Sequence, residues 1–231
     1  MSTTDIGKRT VLPFYIVVDA SGSMEGTKIQ SVNEALEEMR LKVTSNPFLS
    51  SIAWIGIITF SDEAEELIEL GDLSRYISIP EIEVVANTNY GEVFDFLRTT
   101  IDHDIERLRS DGVKAHRPLV FFFSDGQPSF ENWERPVKAI HDKSWQAHPN
   151  IVAFGVEDAD SSVLLQISTL DFFMIDKSSN ISPAQVIADL IESITNTILA
   201  STASVQKGMS PIYEISASIP GTIRIAADPL Y

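Results

Sequence analysis

Three short stretches of the chain gather small, oxygen-bearing side chains: Asp19-Ala20-Ser21-Gly22-Ser23, Thr88 within Ala86-Asn87-Thr88-Asn89-Tyr90-Gly91, and Ser124-Asp125-Gly126. Asp19, Ser21, Ser23, Thr88 and Asp125 together offer two carboxylates and three hydroxyls, with no imidazole or thiolate among them. Hard oxygen donors of this kind suit Mg²⁺, or Mn²⁺ as its near neighbour. Gly22 and Gly126 allow the backbone to turn sharply and approach an ion closely. The Asp-x-Ser-x-Ser stretch leads into a helix, whose positive N-terminal end repels a cation, so both carboxylates are needed to outweigh it. Held roughly 5 Å apart with nothing between them, two carboxylates repel by about 3 kcal/mol at an effective dielectric near 20. The plain alternative is a set of capping serines and a turn aspartate that hold no metal.

Such residues converge only if the elements around them bring their loops to one place. Short apolar runs alternate with helical patterns, as in a parallel sheet covered on both faces. Residues 11–18 and 118–123 are nearly all apolar and read as central strands buried on both sides. Residues 51–60, 151–156 and 170–175 read as further strands, and 64–70 as an antiparallel edge strand or, alternatively, a helix. Ile29, Val32, Leu36, Met39 and Val43 recur at helical spacing, and Asn46-Pro47 ends that pattern. Helices are also expected over 91–111, 134–147 and 161–169, and from Ser182-Pro183 to about Leu199. The fold class is therefore α/β: a doubly wound, mostly parallel six-stranded sheet with one antiparallel edge strand and helices on both faces. In such sheets ligands bind at the carboxyl ends of the strands, where the winding reverses, and all three stretches fall after strands or before a helix. The domain is expected over 1–200. Residues 201–231 form an extension, read either as a tail or as an added strand or hairpin with β-like stretches at 213–219 and 222–226.

Composition narrows the partners. The 231 residues include 17 Lys and Arg against 33 Asp and Glu, a formal net charge of −16. No basic face is available to displace counterions from nucleic acid, and the same field disfavours anionic membranes. With no cysteine, disulfides, zinc–thiolate sites and thiol catalysis are excluded. The apolar run at 11–18 is too short to span a membrane and lacks a cleavage site, so a cytoplasmic protein is expected.

Asp19-x-Ser21-x-Ser23, Thr88 and Ser124-Asp125-Gly126, in that order, resemble the metal-ion-dependent adhesion site of von Willebrand factor A domains, over about residues 11–200. The resemblance implies Rossmann-like topology. It also implies that the serines and the threonine coordinate Mg²⁺ directly, the aspartates directly or through water, with one position left for an acidic side chain of a partner. Within the family the chain resembles the bacterial TerY-like group associated with tellurium resistance and stress responses, which implies a kinase or phosphatase partner of the same system. It departs from the family pattern at Asn87, where a glycine commonly precedes the threonine.

Other candidates weigh less. His103, flanked by Asp102 and Asp104, could meet a cation but reads as a solvated helix face. No histidine stands near Ser21 or Ser23 in sequence to activate a nucleophile. Gly22 to Lys28 lacks the Gly-Lys-Ser/Thr ending of a phosphate loop. Tyr90, Phe130 and Trp133 fall in loops beside the crevice, either packing on the core from above or anchoring a partner. The expected function is a cation-dependent protein-binding or scaffold module, not an enzyme. The competing readings are a metal-dependent hydrolase or phosphatase and a metal-independent structural protein with a vestigial site.

Overall fold

Strand β1 (Thr10–Asp19) is buried at every position after its first residue, a pattern open only to a strand with a covered face on each side. Its side chains divide with period two. Leu12, Phe14, Ile16 and Val18 enter one core cluster with residues of α1 (Thr27–Thr44) and α6 (Pro183–Gln206). Val11, Tyr15 and Val17 enter a second, with residues of α3 (Tyr90–Ser110), α4 (Glu134–Ile140) and α5 (Ser161–Ile167). The Tyr15 hydroxyl, carried into the second cluster, donates to Asp104 Oδ2 on α3 at 2.9 Å, and Arg107 holds the other oxygen of that carboxylate at 2.7 Å. The computed structural model describes residues 9–225 except 86, 126–127, 157–158, 177, 214 and 216–217.

The remaining strands are β2 (Ala53–Phe60), β3 (Ala64–Gly71), β4 (Lys114–Ala115), β5 (Leu119–Ser124), β6 (Asn150–Gly155), β7 (Phe172–Ile175) and β8 (Thr222–Ile225). They lie in the order β3-β2-β1-β5-β6-β7-β8, and β4 pairs with β1. β1 pairs parallel with both β2 and β5, and β6 and β7 continue the parallel run. β3 returns antiparallel at one edge, as read from the sequence. The chain winds from β1 toward β3 on one side and from β5 toward β8 on the other, so the reversal lies between β1 and β5.

The sheet has eight strands rather than six. Two-residue β4 is too short to show a period. β8 lies in the polar C-terminal stretch and pairs antiparallel with β7, from Phe172↔Ile225 to Ile175↔Thr222. An Arg224–Asp171 ion pair lies beside it. Ile215 and Ile219 are buried, at 6% and 5% exposure, while the described residues between 213 and 219 form no strand. Ala217 and Ala226, which belonged to the expected β-like stretches, lie outside the described residues.

Three helices depart from expectation. Asn46-Pro47 starts α2 (Pro47–Ile52) as well as ending the previous helix, because Asn46 Oδ1 accepts from the Phe48 and Leu49 amides and proline suits the first helical position. α4 stops at Ile140 rather than reaching 147. Asp142 Oδ1 accepts from Ser144 N at 2.8 Å, and the local turn competes with the helix. α6 runs on to Gln206, since its late hydroxyls are buried against carbonyls: Thr202 Oγ1 to Ile198 O at 2.7 Å and Ser204 Oγ to Ser210 O at 2.7 Å. Among the described residues no helix is long and apolar enough to cross a membrane.

Candidate metal centre

β1 and β5 run in register up to Val18↔Phe123, so their last residues, Asp19 and Ser124, stand side by side at the winding reversal. Asp19 is fully buried. Its Oδ2 accepts from Ser124 Oγ at 2.6 Å and its Oδ1 from the Ser21 amide at 2.9 Å. Tyr90 OH in turn donates to Ser124 Oγ at 2.6 Å. Burial pushes the Asp19 carboxyl up from 3.8 to about 6; the bonds from Ser124 and Ser21 oppose this, and the Asp125 charge adds to it. Burial also raises the Tyr90 phenol well above its ordinary value, so it remains a hydrogen-bond donor.

Directly after β1 the chain makes a single tight turn, Gly22–Met24, anchored by the buried Met24 side chain. That turn places Ser21 Oγ and Ser23 Oγ 3.0 Å apart. Ser23 Oγ donates to Asp125 Oδ1 across 102 residues of sequence. Gly26, at φ 86° and ψ −131°, swings the chain into α1 through a conformation side chains disfavour. Lys28, in the first turn of α1 and 9% exposed, donates through Nζ to Asp125 Oδ2.

Thr88 is 6% exposed in the loop before α3. That loop is tied to the ends of β1 and β2 and to the segment after β5: Val85 N donates to Ala20 O at 2.7 Å, Asn89 N to Ser61 O at 2.8 Å, and Ser129 N to Thr88 O at 2.9 Å. Asn87 Nδ2 donates to Asp62 Oδ1 at 2.8 Å. Asp19, Ser21, Ser23 and Asp125 are thus joined by one hydrogen-bonded cluster, and Thr88 is tied through its backbone to the loop that follows Asp125. Gly126 lies outside the described residues.

The donor set fits a small hard cation. Octahedral Mg²⁺ with bonds near 2.1 Å places neighbouring oxygens roughly 3.0 Å apart, a spacing compatible with the 3.0 Å hydrogen bond that joins the two serine hydroxyls. Among the described residues no group of three or more His, Asp or Glu is placed to hold a metal, so an ion held here would need hydroxyl ligands as well. The histidines lie elsewhere: His141 bonds Ile167 O at 2.8 Å and His148 bonds Trp145 O at 2.7 Å. The acids flanking His103 are committed, Asp104 to Tyr15 and Asp102 to Trp145 Nε1 at 2.6 Å.

Of the three aromatics read either as packing on the core or as anchoring a partner, two are core residues. Tyr90 is fully buried and Trp133 is 8% exposed. Tyr90 opens α3 rather than sitting in a loop. Its ring meets Trp133 edge-on at 6.1 Å and Phe122 at 5.4 Å, while its hydroxyl is taken by Ser124. Phe130 is 48% exposed, and Val85, not singled out in the sequence, is 53% exposed in the Thr88 loop. Lys28, which the motif spacing does not single out, also enters the site. Its signal was its place in line with Val32, Ala35, Met39 and Val43 on the buried face of α1.

A family model described as von Willebrand factor type A domain matches residues 14–186. No curated protein sequence matches. Among solved structures the chain is similar to the ArnB paralog VWA2 from Sulfolobus acidocaldarius, with 19% identity and a TM-score of 0.50 over 80% of this chain and 46% of that one. It is also similar to the vWF domain of the type V pili tip protein Mfa5 from Porphyromonas gingivalis, with 10% identity and a TM-score of 0.57 over 90% of this chain and 99% of that one. A third likeness is to the pilus adhesin SpaC from Lactobacillus rhamnosus GG, with 11% identity and a TM-score of 0.57 over 84% of this chain and 30% of that one. At these identities the likeness is one of fold. The chain spans less than half of the archaeal chain and under a third of SpaC.

Proposed function

The chain belongs to the von Willebrand factor type A domain family, and on that premise we propose that it is a protein-binding or scaffold module whose binding depends on Mg²⁺ or Mn²⁺. Asp19, Ser21, Ser23, Thr88 and Asp125 are its metal-ion-dependent adhesion site. The observation that carries this reading is the cluster joining two carboxylates and two hydroxyls at the winding reversal, with Ser21 and Ser23 spaced as neighbouring ligands of an octahedral ion. A bound cation supplies charge neutralisation to the carboxylates and an open coordination position. The residues do the rest. The Ser124–Tyr90 chain fixes the orientation of Asp19, and the Gly22–Met24 turn fixes the two serine hydroxyls.

The partner supplies one Asp or Glu to the exchangeable position. A net charge of −16 repels a strongly acidic partner at long range, so that acid sits in a neutral or basic surface. Phe130, exposed in the loop after Asp125, and Val85 in the Thr88 loop provide apolar contact at the rim. The resemblance to the TerY-like group supplies a setting: a cytoplasmic bacterial stress-response complex whose partner is a kinase or phosphatase of the same system.

The test is capture of partners from native extract with Mg²⁺, with Mn²⁺ and with chelator, repeated for Ser21→Ala and Thr88→Ala. Binding should vanish with chelator and return with the cation, and each substitution should weaken it. Single acid-to-alanine replacements in the captured partner should include one that costs more than a factor of about ten, roughly 1.4 kcal/mol. Capture that ignores chelator sinks the reading.

A further inference from the structure

The carboxylate assigned to the cation already has a cation beside it. Lys28 Nζ donates to Asp125 Oδ2, and both residues are buried, with side-chain exposures of 11% and 1%. Ser23 Oγ takes the other oxygen of the same carboxylate. A divalent ion that binds Asp125 and Ser23 must therefore share this carboxylate with an ammonium or dislodge it. Two cations in bonding contact with one buried carboxylate repel strongly, because solvent screening is poor there.

We infer that Lys28 is a tethered competitor for the metal, an intrinsic occupant whose displacement sets the cation level at which the site fills. The inference rests on the cation reading above. Three observations carry it beyond an ordinary buried ion pair. First, the contested group is a proposed ligand rather than a neighbour of one. Second, the competitor is covalently attached, so its effective concentration is fixed and does not fall on dilution. Third, Lys28 stands in the first turn of α1 between the exposed Thr27 and the buried Ile29, and its own side chain keeps 11% exposure. Its four-carbon stem can carry the ammonium to solvent while the methylenes stay packed.

A supporting lysine that merely orients Asp125 predicts the opposite sign, which makes the inference testable. Calorimetric titration of MgCl2 and MnCl2 into the full chain is compared with Lys28→Gln and Lys28→Met. The variants should bind each cation at least about ten times more tightly, equivalent to about 1.4 kcal/mol. Equal or weaker binding by the variants overturns the competitor role and leaves the cation reading standing. Absence of binding by wild type and variants alike overturns both. A second measurement needs no variant: amine-reactive labelling of the wild-type chain, read by mass spectrometry. Labelling of Lys28 relative to the other lysines should rise at saturating MgCl2, and an unchanged ratio overturns the proposal.

Discussion

Replacing Asp19 by Asn should stabilise the protein in chelator and abolish its stabilisation by Mg²⁺. The magnitude follows from burial. Asp19 is fully buried, and its carboxyl is raised from 3.8 to about 6. The folded state binds the proton more tightly than the unfolded chain does, so the folded carboxylate is penalised above pH 6. At pH 8 that penalty is about 3 kcal/mol. The amide carries no charge and sheds it. It keeps an acceptor for the Ser21 amide but turns a donor toward Ser124 Oγ, which already accepts from Tyr90. The misplaced proton costs about 1 kcal/mol. The net gain at pH 8 is then about 2 kcal/mol, or a rise in Tm of roughly 4–8 °C for a chain of this size.

Thermal and denaturant unfolding at pH 8 in chelator measures this difference. It should shrink as pH falls through 6 and disappear below about 3.8, where the wild-type carboxyl is protonated in both states. With Mg²⁺ at about one hundred times its Kd, wild type should gain about 2.7 kcal/mol by mass action and Asp19→Asn nothing. An Asn variant less stable than wild type at pH 8 in chelator refutes the burial argument. An equal Mg²⁺ gain in both proteins refutes the ligand assignment.

Phe130→Ala should leave stability within about 0.5 kcal/mol, as for an exposed residue, while weakening partner capture. Trp133→Ala should instead destabilise by about 3–5 kcal/mol, as for a buried aromatic, and unfolding curves of the two distinguish rim from core. Amides of Thr222–Ile225 should resist hydrogen exchange through their pairing with β7, and full exchange within seconds would remove β8 from the folded domain. Truncation after Gln206 uncovers the sites of Ile215 and Ile219 and should cost about 2 kcal/mol or more, read by denaturant midpoint.

The strands were legible where burial dictates composition. β1 and β5 are covered on both faces, so almost every position must be apolar, and no helix boundary or turn chemistry competes with that reading. Elements escaped where one signal serves two outcomes. Asn46-Pro47 ends α1 and starts α2 with the same two residues. The Ser- and Thr-rich end of α6 looks like linker, yet its hydroxyls are satisfied by carbonyls one turn back or in the following segment. β8 is half exposed and takes its place from β7, which a one-dimensional pattern does not display.

The site divides along the same physical line. Ligand types are local: an aspartate and two serines at alternate positions announce oxygen donors before any fold is known. What governs their strength is not local. Lys28 and Asp125 are 97 residues apart in sequence, and Tyr90, which the sequence leaves open as a core or a partner-facing residue, bonds Ser124 across 34. A charge count of −16 suggests a protein eager for any cation. That charge is spread over the surface and screened beyond about 8 Å in physiological salt, so it governs approach. The ammonium in contact with Asp125 is buried, where solvent screening is poor, so it acts on occupancy. One lysine on the buried face of a helix can therefore oppose, at the site itself, the attraction of all the surface carboxylates. If Lys28 is the competitor inferred here, raising the salt should slow cation and partner association while barely changing the ratio of Mg²⁺ affinities between Lys28→Gln and wild type. A ratio that collapses with added salt would instead place the control in the surface charge.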